Sequence, residues 1–383
     1  MVQARLKAAF YRGGTSKAVV VNAADLPAAR AARDRIFLHV LGSPDAYGRQ
    51  LDGMGGGLSS LSKVVIVGPA TVPDADVDYT FVQIAVDAPV ADYGSACGNM
   101  SSAVGPFAVD EGIVEVPDGE ALVRIHSTNT GQIYHSRFPV KDGKSLEEGD
   151  FAIAGVSGTG AKVTLDFLSP GGSKTGSLLP SGAALERLET EDGSFDASLI
   201  DAANPVVYVR AEDVGCQGNE TPQDLDGNAE LMAQLDRVRR AGGVAMKLAA
   251  TPEEVPLSNP KVAIVAGPRA FTGLDGTAYA PETHDLSVRL VSMGNFHRAI
   301  TLTGAMCVAV AAQVEGSLVQ EAAGGRLAAV RIGNPSGVLS AGAEMSAAGE
   351  ALSATTFRTQ RRIMEGAVLY PAGLNAAGFI PAD

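Results

Sequence analysis

Three short stretches of this chain recur later in it, in the same order, and a duplication constrains a fold more than any single motif does. Val21-Asn22-Ala23-Ala24-Asp25-Leu26 returns as Val209-Arg210-Ala211-Glu212-Asp213-Val214. Ser60-Leu61-Ser62-Lys63-Val64-Val65-Ile66-Val67 returns as Ser258-Asn259-Pro260-Lys261-Val262-Ala263-Ile264-Val265. Cys97-Gly98-Asn99-Met100-Ser101-Ser102-Ala103-Val104 returns as Thr303-Gly304-Ala305-Met306-Cys307-Val308-Ala309-Val310. The offsets are 188 (21 to 209), 198 (63 to 261) and 206 (97 to 303), rising as insertions would make them. Each echo is weak alone; three in order read as an internal duplication. The halves are expected at 1–185 and 186–383, separated after the Gly/Ser/Pro-rich stretch 169–182.

Each half reads as a strand (17–21; 206–209), a surface helix (26–41; 224–241) and two further strands (63–67 and 80–86; 261–265 and 286–291). A helix of small residues follows (98–110; 304–314), then more strands. That helix is apolar or small almost all round, so sheet should wrap it. The alanine-rich run 341–354 reads as a solvent hairpin or loop, and 355–362 as strand or helix. A chain of 383 residues with 45 glycines and no tryptophan suits a turn-rich protein with two cores.

Charge and cysteine usage exclude several classes. A net charge of −13 argues against a nucleic-acid footprint, and an anionic ligand would have to be held by local donors. Three scattered cysteines form neither a disulfide framework nor a zinc pattern, which suits a reducing cytoplasm. His39, His126, His135 and His284 show no metal spacing. No signal peptide precedes Arg5, and no apolar run approaches the roughly 20 residues that span a bilayer, so no membrane partner is expected. A homodimer is compatible with the chain.

Cys97 is the first candidate for chemistry. It follows a small-residue turn and precedes an expected helix start. Unpaired N–H groups at a helix start favour the ionised form of a thiol and hold carboxylates. Glycines 94 and 98 favour that reading over a buried structural thiol. Cys307, in a helix body, reads as core. Lys63 opens a strand after the serine-rich run 59–62. It is either a desolvated base or a solvated strand-end charge. Its echo Lys261 follows a proline, lacks that lead-in and reads as the solvated kind.

Arg12-Gly13-Gly14-Thr15-Ser16-Lys17 offers bare N–H groups and hydroxyls to an anion. Ser169-Pro170-Gly171-Gly172-Ser173-Lys174-Thr175-Gly176 lacks the spacing of a nucleotide phosphate loop. His297, just before the second helix, is placed to orient a carboxylate.

These stretches resemble a known family. With residues 42–45, 52–56, 62–64, 97–99, 104–108, 201–205, 303–305, 334–337 and 358–366, they are similar to the isomerases that include 2-methylaconitate (aconitate) isomerase, 3-methylitaconate isomerase and 4-oxalomesaconate tautomerase. The family lies in the diaminopimelate-epimerase-like superfamily, and the likeness runs over nearly the whole chain. It implies an α+β fold of two similar domains, each a β-barrel-like sheet around a central helix, with a cleft between them. It implies Lys63 and Cys97 as the catalytic pair and no cofactor or metal. Ser16, Ser62, Gly98, Asn99, Asn204, His297, Thr303 and Gly304 are then expected to bind a small polycarboxylate. Carboxylates should rest on the N–H groups of Gly98-Asn99 and Gly304-Ala305. One departure is Asn334, where a histidine is expected.

The implied reaction is a 1,3-allylic proton shift on an unsaturated di- or tricarboxylate. Residues 125–131 point to 4-oxalomesaconate, in aromatic-acid catabolism. Residues 172–176 fit a 2-methylaconitate or aconitate isomerase as well. Two other classes stand against this. A two-thiol amino-acid epimerase is disfavoured because Thr303 occupies the second thiol position. A non-catalytic small-acid binding protein is disfavoured because Lys63 and Cys97 are both present.

Overall fold

The computed structural model describes residues 2–375 apart from residues 95, 154 and 293. Ser95 and Met293, which flank Cys97 and His297, lie outside the described residues. The chain divides into two compact units, Met1–Leu165 with Phe357–Asp383, and Asp166–Thr356. The first contains β1 (Gln3–Gly13), β2 (Ser16–Asn22), α1 (Arg30–Leu41), β3 (Lys63–Pro69), β4 (Val77–Ile84), β5 (Ala91–Asp92), α2 (Ser101–Asp110), β6 (Gly119–Ser127), β7 (Ile133–Lys141) and β8 (Lys144–Ser145). A ninth strand, β9 (Lys162–Leu168), runs through the unit boundary. The second unit holds β10 (Glu186–Thr190), β11 (Gly193–Ala202), β12 (Asn204–Arg210), α3 (Pro222–Asp226), α4 (Ala229–Ala245), β13 (Lys261–Ala266), β14 (Phe271–Thr272) and β15 (Ala278–Tyr279). It continues through β16 (Leu286–Ser292), β17 (Asn295–Phe296), α5 (Leu302–Ala311), α6 (Leu318–Ala322), β18 (Ala329–Asn334) and β19 (Gly337–Met345). The last strand, β20 (Ala351–Pro371), begins there and ends in the first unit.

Strand pairing repeats between the units. In the first, β1–β2 is antiparallel, β2–β3 parallel, β3–β4 antiparallel, β4–β6 parallel and β6–β7 antiparallel. In the second, β11–β12, β12–β13, β13–β16, β16–β18 and β18–β19 follow the same alternation. Each parallel step needs a long crossover. The α1 helix and the α3–α4 pair fill the first, and the α2 and α5 segments fill the second. Even the register agrees. Lys63 falls beside Ala18, two residues beyond Ser16, and Lys261 pairs with Val206, two residues beyond Asn204.

The fold is α+β, two similar units each built of sheet around one helix. The α2 helix packs on β1, β3, β6, β7 and β8, and α5 packs on β11, β12, β18 and β19. Strands with period 2 serve both faces. Val206 and Tyr208 face the core around α5, whereas Val207 and Val209 face the core under α4. That double burial explains why β3, β12 and β13 read as unbroken apolar runs.

Three expectations are corrected. The α2 helix starts at Ser101, not Gly98, and residues 98–100 form a turn ahead of it. The second surface helix is broken at Gly227, because Thr221 and Asn228 each cap a separate start. The run 341–354 is the hairpin of β19 and β20 with an exposed turn at 347–350, but its strands do not face solvent throughout. Ala341, Ala343, Ala351 and Ala354 are buried against the α5 core, on β19 and β20. Small side chains let those strands approach the helix closely; a bulkier one there would cost about 1–3 kcal/mol.

Candidate active site

The first unit carries Lys63, Cys97 and Asn99. Lys63 sits at the mouth of β3 and is 7% exposed, so it is not a solvated strand-end charge. Its Nζ donates to Gln83 Oε1 at 2.5 Å, directly across the β3–β4 pair, and lies 5.0 Å from the centre of the Phe81 ring. Burial pushes the Lys63 pKa below the ordinary lysine value, and an ionised Cys97 pushes it back up.

Cys97 is half-buried at the end of the loop before α2. Its carbonyl accepts from the Tyr79 hydroxyl at 3.1 Å, from Ser101 N–H at 3.0 Å and from Ser101 Oγ at 3.1 Å, which fixes the backbone that carries the thiol. Charge on Cys97 is felt by four groups at once: Lys63, Arg358, Tyr79 and Tyr134. Burial raises both tyrosines above their ordinary range, and the Cys97 charge raises them further.

Arg358 was not singled out by sequence reasoning, although it lies in the 358–366 stretch. It is 7% exposed, and burial lowers its pKa to about 10, against the pull of the Cys97 charge. Its Nε donates to Asn99 Oδ1 at 3.1 Å, and Asn99 Nδ2 donates to Thr15 Oγ1 at 3.1 Å. The glycine-rich turn makes that possible. Gly14 has φ +52°, and a Cβ there would stand 2.4 Å from Asn99 Oδ1. Arg12 closes the turn by donating to the Gly14 carbonyl at 3.1 Å and to the Thr359 carbonyl at 3.0 Å. Ser16 is buried at the start of β2 next to this turn, and Gly98 lies in the turn before α2. Ser62 is fully buried and its hydroxyl accepts from Gln50 Nε2 at 2.7 Å, so it supports Lys63 from behind.

The second unit carries the counterpart without the thiol. Lys261 Nζ donates to Ser292 Oγ at 3.0 Å, as Lys63 does to Gln83. Burial lowers its pKa, which departs from the solvated reading. His297 is half-buried; burial lowers its pKa, and the Lys261 charge lowers it further. Its Nδ1 accepts from Ala299 N–H at 3.1 Å, which leaves the proton on Nε2. Asn204 opens β12 and donates to the Pro205 carbonyl at 3.0 Å, and Thr303 lies in the first turn of α5. Gly304 is corrected. Its N–H donates to the Thr301 Oγ1 cap at 3.0 Å and the N–H of Ala305 to the Thr301 carbonyl at 2.9 Å, so neither is bare.

The loop 169–176 also proves to be filled from within. The buried carboxylate of Asp201 accepts from Ser173 Oγ at 2.5 Å, from the N–H groups of Lys174 and Thr175 at 2.8 Å each, and from Thr175 Oγ1 at 2.9 Å. Among the described residues no cluster of three or more His, Cys, Asp or Glu is arranged for a metal, and no helix is long and apolar enough to cross a membrane.

Known proteins match this chain over nearly its whole length. The family model described as PrpF protein matches residues 3–371. The 3-methylitaconate isomerase of Eubacterium barkeri is 39% identical over 372 residues, 96% of this chain and 97% of that one. The 2-methyl-aconitate isomerase of Shewanella oneidensis is 38% identical over 387 residues, covering 96% and 98%. The (4E)-oxalomesaconate Delta-isomerase of Novosphingobium sp. strain KA1 is 39% identical over 362 residues, covering 94% and 96%. A crystal structure of methylitaconate-delta-isomerase shares the fold with a TM-score of 0.92 at 38% identity, covering 99% of both chains.

Proposed function

The chain belongs to the PrpF protein family and is an isomerase, and we propose that it moves a double bond by a 1,3-allylic proton shift on an unsaturated di- or tricarboxylate. Lys63 and Cys97 are the proton carriers. The observation that carries this reading is that β4 holds both the buried Lys63, through Gln83, and the loop of the half-buried Cys97, through Tyr79, while the buried Arg358 is bonded to Asn99 two residues past the thiol. One carrier breaks a C–H bond next to the double bond, and its electron pair spreads into a dienolate. The other carrier forms a C–H bond two carbons away. Burial favours the neutral amine of Lys63, which has the lone pair a base needs. Lys63 and Cys97 then return to their starting states by passing a proton between themselves or through solvent.

A dienolate with carboxylates is strongly anionic. Arg358 supplies a buried positive charge bonded to Asn99, two residues past the thiol, and fixed charge in a dry site stabilises a developing oxyanion more than it would in water. Asn99 aims the guanidinium, and Thr15 aims Asn99.

4-Oxalomesaconate is the first substrate to test. Residues 125–131, the stretch that suggests it, include Asn129, whose side chain grips both backbone groups of Phe81 beside Lys63, at 2.7 and 2.9 Å. The relatives act by name on methylitaconate, methylaconitate and oxalomesaconate at nearly equal identity, so a 2-methylaconitate or aconitate isomerase is the alternative. Proton NMR in heavy water with each acid tests this. The substrate should lose an allylic proton signal, gain deuterium and show its double bond moved. Absence of exchange with every acid would sink the proposal.

A further inference from the structure

We infer that Gln83 is the positioning residue for Lys63, holding its amine in one direction with an acceptor that carries no charge. This rests on the reading of Lys63 as a proton carrier. Gln83 stands directly across from Lys63 in the β3–β4 register. Its Nε2 donates to the Ser62 carbonyl at 2.8 Å and to the Ser59 carbonyl at 3.1 Å, and its Oε1 receives Lys63 Nζ. Those two carbonyls use both hydrogens of the amide. A flipped amide would place its oxygen against them and its N–H groups against the amine, so only one orientation is satisfied. The lysine in turn spends one N–H on Gln83, and its remaining positions are left for the thiol and the substrate.

The backbone that grips Gln83 is itself braced. Gln50 is 1% exposed and ties three segments together. It donates to Ser43 Oγ and Ser62 Oγ at 2.7 Å each and accepts from Gly57 N–H at 3.0 Å. Movement of Ser62 is thus resisted from both sides. This assigns a role to Ser62 and to the serine-rich lead-in that no direct substrate contact requires.

The acceptor that holds Lys63 is also neutral. Groups facing Lys63 are the Phe81 ring from β4 and Cys97 from the loop before α2. Tyr79 donates to the Cys97 carbonyl, Arg358 to Asn99 two residues further on, and charge on Cys97 raises the pKa of Arg358, Tyr79 and Tyr134. Asp92 on β5 lies opposite Gln83, but its carboxylate is turned to the Gly94 N–H at 2.7 Å. A carboxylate in place of the Gln83 amide would be the nearest charge to the amine and would favour its protonated form. The second unit offers an internal comparison, where the lysine faces a serine hydroxyl and Thr303, in the first turn of α5, is the sequence echo of Cys97.

The test measures kcat and KM from pH 6 to 10 for the wild type, Gln83→Glu, Gln83→Met and Lys63→Met, with thermal unfolding of each. In Gln83→Glu the limb of the kcat profile that follows Lys63 should move at least one unit toward high pH. In Gln83→Met, kcat should fall at least tenfold, with KM within threefold of wild type. A Gln83→Glu profile that superposes on wild type, or Gln83→Met turnover within threefold of wild type, overturns the inference. If Gln83→Glu does not fold, the Met variant decides. Lys63→Met separates the two readings: if it stays active, Lys63 is no proton carrier, whereas an inactive Lys63→Met with wild-type Gln83 variants removes only the role of Gln83.

Discussion

Arg358 and Asn99 are 259 positions apart in the sequence, yet Arg358 Nε donates to Asn99 Oδ1 at 3.1 Å. The contact brings a cation from the last strand, β20, to the turn after Cys97. Arg358→Met should therefore raise KM for the polycarboxylate at least tenfold, equivalent to about 1.4 kcal/mol or more. Arg358→Lys should rescue little, because an ammonium lacks the fork that reaches both Asn99 and a carboxylate. Steady-state kinetics on the wild type and both variants decide this. A wild-type KM in Arg358→Met would remove the arginine from the site.

Turnover should collapse without either proton carrier. Lys63→Met and Cys97→Ala are each expected to lower kcat at least 100-fold, within the range general acid–base groups supply. Circular dichroism should show the fold retained in both. Cys97→Ala with near wild-type turnover would rule out an essential thiol.

The buried lysine also makes a stability prediction with a definite sign. Its folded pKa is lowered by burial, so the unfolded chain binds more protons than the folded one between that value and about 10.4. Stability contributed by this residue is poorest at low pH and recovers as pH rises through that window. Lys63→Met should be more stable than wild type at pH 7 in urea unfolding, and the advantage should shrink by pH 10. An advantage independent of pH would contradict it.

Gly14→Ala should hurt twice. A residue at φ +52° resists a side chain, and the new Cβ would meet Asn99 Oδ1 at 2.4 Å. A loss of about 1–3 kcal/mol is expected from strain of this kind, together with a drop in kcat as Asn99 and Arg358 are displaced. Urea unfolding and kinetics on one preparation would show whether the two effects travel together.

Asp201→Asn tests the filled loop. An amide would oppose its own N–H groups to donors that now converge on a carboxylate, leaving buried groups unpaired at about 1–3 kcal/mol. The melting temperature should fall while KM stays near wild type. A variant that gains phosphate binding without losing stability would reverse this account.

Much was legible from the chain alone, for identifiable reasons. Duplicated strands and small-residue helices follow from local composition and order, so the two similar α+β units could be read before any coordinates. Lys63 and Cys97 stand out because each sits at the end of a strand or loop with an unusual lead-in. Helix bounds were harder, since caps decide them. Thr301 takes the Gly304 N–H that was expected to be bare, and α2 starts only after Gly98 and Asn99 have turned. Residues 341–354 read as a solvent hairpin or loop because alanine and glycine carry little pattern; the hairpin is there, and only packing on the α5 core buries its alanines. Gln83 and Arg358 carry no local signal at all. Cross-strand register puts Gln83 against Lys63, and return of β20 to the first unit puts Arg358 against Asn99. Local chemistry is written along the chain, whereas the partner that orients or charges a group is chosen by pairing and packing over long separations.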